Sequence, residues 1–393
     1  MHIIIDGTTT QDQFAYAGVG QYTKNIILSL VRLYPDTKFS ILLFNNKEST
    51  LGESINKFSN VEIVDIGVYR VSGYKNDIWY ARNMLPKIKK IKKDDSVYFC
   101  PYFWRNFPSD IMPTVLFVHD MILPMFGPYS QQSVFHNWVR KLQYWMTLDK
   151  AVNCRYVLCN SETTRADFLK YYPEYPEDNT IVTYLGVDLD EREVSIDDLL
   201  PKDWKEKGYV IYLGGGVTKN KNSEGVIKGY DAFLKLLRKD NPPYLVIAGG
   251  NFRKKENKDV KALYDLVDDL GIQNNVVFTG FYSDESKYSL LKNAFAFVHL
   301  SIYEGFGISV AEALRAKVPT VIDKSLVYIE LFDNVSSIVD GYDEEKVGQK
   351  LLDIYTNPNK YTQMVKRGYS LSKTFTWDEC AKKTYKVLQK VRN

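Results

Sequence analysis

The chain has 393 residues, 45% of them hydrophobic and 25% charged, which is ordinary globular composition and enough for two substantial cores. Its 51 basic and 48 acidic residues leave a net charge of +3, and neither a basic excess nor a recognisable motif marks a nucleic-acid binder. No apolar run approaches the roughly eighteen residues that span a bilayer, and the start Met1-His2-Ile3-Ile4-Ile5-Asp6-Gly7 turns polar too soon for a signal peptide, so a cytoplasmic protein is expected. Cys100, Cys154, Cys159 and Cys380 form no Cys-x-x-Cys pair and have no histidine at zinc-finger spacing, which predicts reduced, apolar filler and no metal or cofactor site. Aromatic residues reach 14%, with 29 Tyr and 20 Phe, and most are assigned to packing.

Short β-rich runs alternate with amphipathic stretches throughout, the pattern of an α/β fold with parallel sheets. In the first half, strands are predicted at residues 2–5, 39–44, 61–64, 96–99, 114–118 and 156–159, and helices at 21–33 and 131–152. Ala17-Gly18-Val19-Gly20-Gln21-Tyr22 follows the first strand and opens the first of these helices, and Val118-His119-Asp120 ends another strand. Residues 84–93 mix Lys87, Lys89, Lys90, Lys92 and Lys93 with apolar side chains. That reads as a solvated helix face, with a peripheral contact to anionic lipid through residues 87–93 as the second reading. After residue 188 an acidic, poorly patterned segment at 189–200 is the best linker, so a first domain at 1–190 and a second at 191–375 are expected.

The alternation resumes with strands at 209–213, 244–248, 276–278, 295–300 and 319–322, between helices at 223–237, 260–270, 284–291 and 308–316. This makes two Rossmann-like units of comparable size, with ligands expected at the C-terminal edges of the sheets. The first of these strands ends in Leu213-Gly214-Gly215-Gly216-Val217-Thr218-Lys219-Asn220-Lys221-Asn222. Its glycines permit close approach to a ligand, and its lysines suit a diphosphate. It is not a Walker sequence, and no Gly-x-Gly-x-x-Gly follows the first strand as a nicotinamide-dependent oxidoreductase would require.

The most informative stretch is Ser301-Ile302-Tyr303-Glu304-Gly305-Phe306-Gly307-Ile308-Ser309-Val310-Ala311-Glu312. Glu304 and Glu312 flank a Gly-Phe-Gly turn between a buried strand end and a helix, so Gly305, Phe306 and Gly307 stand at a helix N-terminus, where backbone N–H groups favour anions. Glu312, in the helix, can accept hydrogen bonds from hydroxyls.

Strand, Ser-x-x-Glu-Gly-Phe-Gly, then a helix carrying a second Glu closely resembles the signature of the retaining glycosyltransferases of family 4, the group 1 proteins of the GT-B fold. The resemblance extends over nearly the whole chain: the Gly18–Gly20 loop, the His119-Asp120 pair, Asn160-Ser161-Glu162-Thr163-Thr164, Gly186-Val187-Asp188, Ala248-Gly249-Gly250 and the Lys221-Asn222 pair all have counterparts. It implies two Rossmann-like domains facing a central cleft, with acceptor bound on the first and nucleotide-sugar donor on the second, and a last helix at about 376–393 that packs back on the first. It further implies that His119, Lys221 and Glu304 carry catalysis. Asp120 would orient His119. Donor would be bound through Gly18, Gly20, Gly215, Gly216, Lys219, Lys221, Gly305, Phe306, Gly307 and Glu312. The chain departs from the family pattern at Asn220, where an arginine is usual, and at Ala316-Lys317-Val318-Pro319, where Cys-Gly-x-Pro is common. Asp188-Leu189-Asp190 has the form of a metal-binding Asp-x-Asp but sits at the domain junction, and no metal is expected there.

The implied activity is metal-independent transfer, with retention, of a sugar from a UDP- or GDP-sugar to a hydroxyl on a glycan, a lipid-linked or a small-molecule acceptor. The alternatives are a sugar-nucleotide epimerase on the same fold and a non-catalytic nucleotide-sugar-binding scaffold.

Overall fold

The computed structural model describes residues 1–11, 15–68, 75–102, 107–122, 142, 145–214 and 217–391, without the side chains of 75–81. The chain divides into two compact units. One comprises Met1–Gly186 with Phe375–Asn393, and the other Val187–Thr374.

Unit 1 is built on seven strands, β1 (His2–Asp6), β2 (Lys38–Leu43), β3 (Val61–Asp65), β4 (Ser96–Cys100), β5 (Thr114–Val118), β6 (Tyr156–Cys159) and β7 (Thr180–Val182), in the spatial order 3-2-1-4-5-6-7. Every pair in it is parallel, with His2 opposite Lys38 on one side and Ser96 on the other. The inner strands β1, β4 and β5 are buried along their whole length, as runs such as His2-Ile3-Ile4-Ile5 must be when helices cover both faces. Helices α1 (Gly18–Leu33), α2 (Lys75–Ile91) and α3 (Glu162–Tyr171) lie between strands, and Ser161 caps α3 by accepting the Thr164 N–H at 3.0 Å. Of the helix predicted at 131–152, residues 131–141, 143 and 144 lie outside the described residues. Residues 145–148 are helical, followed by a 3₁₀ turn at Asp149–Asn153.

Unit 2 repeats the plan with β8 (Tyr209–Leu213), β9 (Tyr244–Ala248), β10 (Val276–Gly280), β11 (Ala296–His299), β12 (Thr320–Asp323) and β13 (Ser337–Val339), all parallel, in the order 10-9-8-11-12-13. Its helices continue the numbering: α4 (Trp204–Lys207), α5 (Ser223–Leu237), α6 (Lys258–Asp269), α7 (Asp284–Lys292), α8 (Ile308–Arg315), α9 (Leu326–Phe332), α10 (Glu344–Thr356) and α11 (Thr362–Ser372). Helices α5 and α10 pack closely because Gly229 lies against Val347 and Gly348 against the Ala232 backbone; a Cβ on Gly229 would come within 2.4 Å of the valine.

The last helix, α12 (Trp377–Lys390), belongs to unit 1. Thr376 caps it through the Glu379 N–H, Tyr385 stacks on Tyr34 with ring centroids 3.4 Å apart, and its hydroxyl meets Thr37 at 2.5 Å.

In both sheets the strand order reverses direction beside the first strand of the unit, between β1 and β4 and between β8 and β11. Crossovers leave this point to opposite faces of the sheet, opening a crevice at the strands' carboxyl ends.

Candidate functional site

In unit 2 that crevice lies between the segments leaving β8 and β11. Beyond Leu213 and Gly214, Gly215 and Gly216 lie outside the described residues, and the chain resumes into a 3₁₀ turn at Lys219–Lys221. Asn222 then adopts the left-handed conformation, φ 47°, and caps α5 by accepting the Gly225 N–H at 3.1 Å, while its carboxamide nitrogen donates to the Gly341 carbonyl at 2.9 Å. The turn is latched to the segment after β11. The Asn220 carbonyl accepts the Ser301 hydroxyl at 2.9 Å and the Ile302 N–H at 2.8 Å, and the buried Asn220 carboxamide donates to the Tyr303 carbonyl at 3.1 Å.

This latch brings Lys221 and Glu304 together, Nζ to Oε1 at 2.5 Å, with Nε2 of the buried His299 3.5 Å from the same oxygen. Burial would push the Glu304 carboxyl up, but Lys221 and His299 outweigh it and hold the group down at about 2. Glu304 is therefore an acceptor only. Burial in turn lowers the pKa of His299.

The Gly-Phe-Gly turn follows. Phe306 is buried edge-on to Phe332 at 6.5 Å and anchors it. Gly307 is the N-cap of α8 with φ 92°, and a side chain there would meet the Tyr328 ring at 2.7 Å, so both the conformation and the space demand glycine. No side chain caps α8. Glu312, in its second turn and 7% exposed, has Oε1 2.9 Å from Nζ of Lys287 on α7. Burial raises the Glu312 carboxyl and Lys287 opposes it. Burial likewise lowers Lys287, yet Glu312 prevails and keeps that ammonium above the usual lysine range. Lys219, by contrast, is exposed.

In unit 1, Gly18 and Gly20 stand in the first turn of α1, which begins three residues before the predicted start; Gly18 is exposed and Gly20 buried. His119 follows β5, 6% exposed, among Tyr22, Phe117 and Tyr102. Its Nε2 lies 2.8 Å from the Pro101 carbonyl, which can only accept, so Nε2 carries the proton and Nδ1 the lone pair. Burial lowers its pKa to about 4, which makes the ring neutral at pH 7. Pro101, and not Asp120, orients this ring: the Asp120 carboxylate instead accepts the Ile122 N–H two residues on, at 3.0 Å, closing a local turn.

Within the basic segment, Met84 and Ile88 are part of the core, Lys92 donates to the Ile111 carbonyl at 2.8 Å, and Lys89, Lys90 and Lys93 are exposed, which is the geometry of a solvated face. No described helix is long and apolar enough to cross a membrane. Asp190 of the Asp-x-Asp sequence is bonded to Arg192. Among the described residues no three His, Cys, Asp or Glu converge as metal ligands.

Sequence reasoning missed His299, Lys287 and the latch at Asn220. Each meets its partner through strand order or helix packing, and only the strand-end position of His299 hinted at a role.

The family model "Glycosyltransferase Family 4" matches residues 17–191, and "Glycosyl transferases group 1" matches 200–371. The chain is 23% identical to the O-antigen chain mannosyltransferase B of Escherichia coli over 96% of this chain and 97% of that one. It is 25% identical to the O-antigen chain mannosyltransferase RfbU of Salmonella typhimurium over 62% of this chain and 61% of that one. Among solved structures, Anabaena HepE in complex with UDP and glucose superposes with a TM-score of 0.69 at 15% identity, over 99% of this chain and 100% of that one. WaaG, a glycosyltransferase involved in lipopolysaccharide biosynthesis, gives 0.68 at 15% identity over 99% of both chains, and these two likenesses speak to the fold. With both halves matched, and two all-parallel Rossmann-like sheets to carry them, the chain belongs to the group 1, family 4 glycosyltransferases of the GT-B fold.

Proposed function

We propose that this enzyme transfers a hexosyl group from a UDP- or GDP-sugar to a hydroxyl acceptor in glycan or glycoconjugate assembly, with retention of anomeric configuration and without a metal ion. The observation that carries the reading is the Lys221–Glu304 pair at the carboxyl-end crevice of unit 2, beside a helix N-terminus without a side-chain cap. The O-antigen mannosyltransferases among the relatives favour a hexose and a glycan acceptor, and the UDP complexes of HepE favour a nucleoside diphosphate leaving group.

On this reading unit 2 binds the donor. Lys221, with Lys219 beside it, faces the diphosphate and stabilises the charge that develops as the bond from the anomeric carbon to phosphate oxygen breaks. The acceptor hydroxyl approaches the same face, forms the new C–O bond and passes its proton to the departing phosphate oxygen. Backbone N–H groups of the Gly305–Gly307 turn and the start of α8 hold phosphate or sugar oxygens. Glu304, ionised, accepts from sugar hydroxyls, and Glu312 accepts from the ribose. Gly215 and Gly216 would allow the donor to approach the backbone. Unit 1 binds the acceptor, and in it Gly18, Gly20 and His119, whose Nδ1 carries a lone pair for a hydroxyl, are the candidate ligand contacts. We assign the enzyme to the cytosol, where its four buried cysteine thiols stay reduced.

The test is incubation of the purified chain with UDP- and GDP-hexoses and hydroxyl acceptors, following release of UDP or GDP and the anomeric configuration of the product by NMR. A product of inverted configuration would overturn the retaining assignment, and activity abolished by EDTA and restored by a divalent ion would overturn metal independence.

A further inference from the structure

Lys287 belongs to no motif, yet it is the partner of Glu312. Its side chain is 19% exposed, and the ammonium lies 2.9 Å from Glu312 and 3.7 Å from Asp284. The Asp284 side chain is 82% exposed and its charge screened by water, whereas the Glu312 side chain is only 9% exposed, so the Glu312 contact is the one that matters. A carboxylate this deeply buried requires a cation, and the one that donates to it, Lys287, lies 25 positions away in sequence, on α7.

We infer that Lys287 is a positioning residue of the donor site, holding the Glu312 carboxylate in the orientation that receives the nucleotide's hydroxyls. This rests on the reading of Glu312 as a donor-binding residue. The ammonium engages Oε1 of Glu312, and an ionised carboxylate still has lone pairs to accept hydroxyl protons. Lysine suits the task because its compact charge satisfies one oxygen, whereas a guanidinium fork would engage both.

The charged and titratable groups facing the Glu312 carboxylate are Lys287, Asp284 and Tyr282, all from the segment that enters and begins α7. Across α8, helix α11 presents Gly368 to Leu314. Lys287 is thus the cation that opposes the burial of Glu312, while Asp284 reinforces it. Without Lys287 the carboxyl takes up a proton closer to neutrality. A protonated Glu312 loses acceptor capacity, so nucleotide binding weakens at low pH and recovers as pH rises.

The experiment is calorimetric titration of UDP and of GDP into wild type, K287M, K287R and E312Q from about pH 6 to about pH 9, on either side of neutrality. We expect K287M to lose at least about tenfold in affinity at the acid end, as befits a lost bond to a charged group, with the deficit shrinking toward the alkaline end. K287R should stay closer to wild type, and E312Q should be weak at every pH. K287Q serves the same comparison should K287M not fold. If E312Q is weakened while K287M and K287Q bind as wild type, or show a deficit that does not change with pH, the role of Lys287 is overturned and the donor site stands. If E312Q binds as tightly as wild type, the donor-site reading of Glu312 falls, and this inference with it.

Discussion

Lys221 and Glu304 are 83 residues apart in the chain and 2.5 Å apart in space, because β8 and β11 are neighbours in the sheet and each residue follows one of them. Each neutralises the other in a partly buried crevice, so the carboxylate stays ionised.

Replacing Lys221 by Ala should lower kcat by about 10²–10³-fold, the usual loss when one preorganised charge stabiliser is removed, with a smaller change in KM. Steady-state kinetics with the donor identified by nucleotide release checks this. A variant with kcat within about threefold of wild type would remove Lys221 from the leaving-group role.

Glu312→Ala should act on binding. Wild type at about 100 times the Kd of its nucleotide gains about 2.7 kcal/mol of stability, seen as a rise in Tm, and the variant should lose most of that gain at the same concentration. An undiminished thermal shift with UDP or GDP would disconnect Glu312 from the nucleotide.

The Asn220 carboxamide joins the two segments that carry Lys221 and Glu304. Asn220→Ala removes the donor to the Tyr303 carbonyl but leaves the backbone bonds from Ser301 and Ile302, so a loss of about 1–3 kcal/mol is expected in urea unfolding, together with a fall in kcat. Unchanged stability would mean that the backbone contacts alone hold the turn.

His119 carries a folded-state pKa of about 4 against an ordinary 6.5. Between these values the unfolded chain binds a proton that the folded chain refuses, so the contribution is fully present above the ordinary value and lost as pH falls toward about 4. By the acid end the stability lost amounts to roughly 3 kcal/mol. Urea unfolding of wild type and His119→Gln across this window should show a steeper loss in wild type. Parallel curves would show that the ring titrates normally.

What the sequence determined by itself is what rests on near neighbours. Continuous runs such as Tyr209-Val210-Ile211-Tyr212-Leu213 can only be buried strands of a parallel sheet, and Ser161 and Thr376 mark helix starts through bonds three residues long. The Gly-Phe-Gly turn announces itself through its place between a buried strand end and a helix, flanked by Glu304 and Glu312. Where patterning was weak the reading fell short: the three-residue strands β7 and β13 are too short to show a period, and α9, α10 and α11 went unread. Tertiary structure alone decided the pairs. Lys287 reaches Glu312 because α7 and α8 bring them together, Pro101 reaches His119 because β4 and β5 are adjacent, and Asn220 became a latch where the motif alone suggested a missing cation. Such contacts depend on which strands and helices are neighbours in the folded unit, a property of the whole sheet that no local window of residues carries.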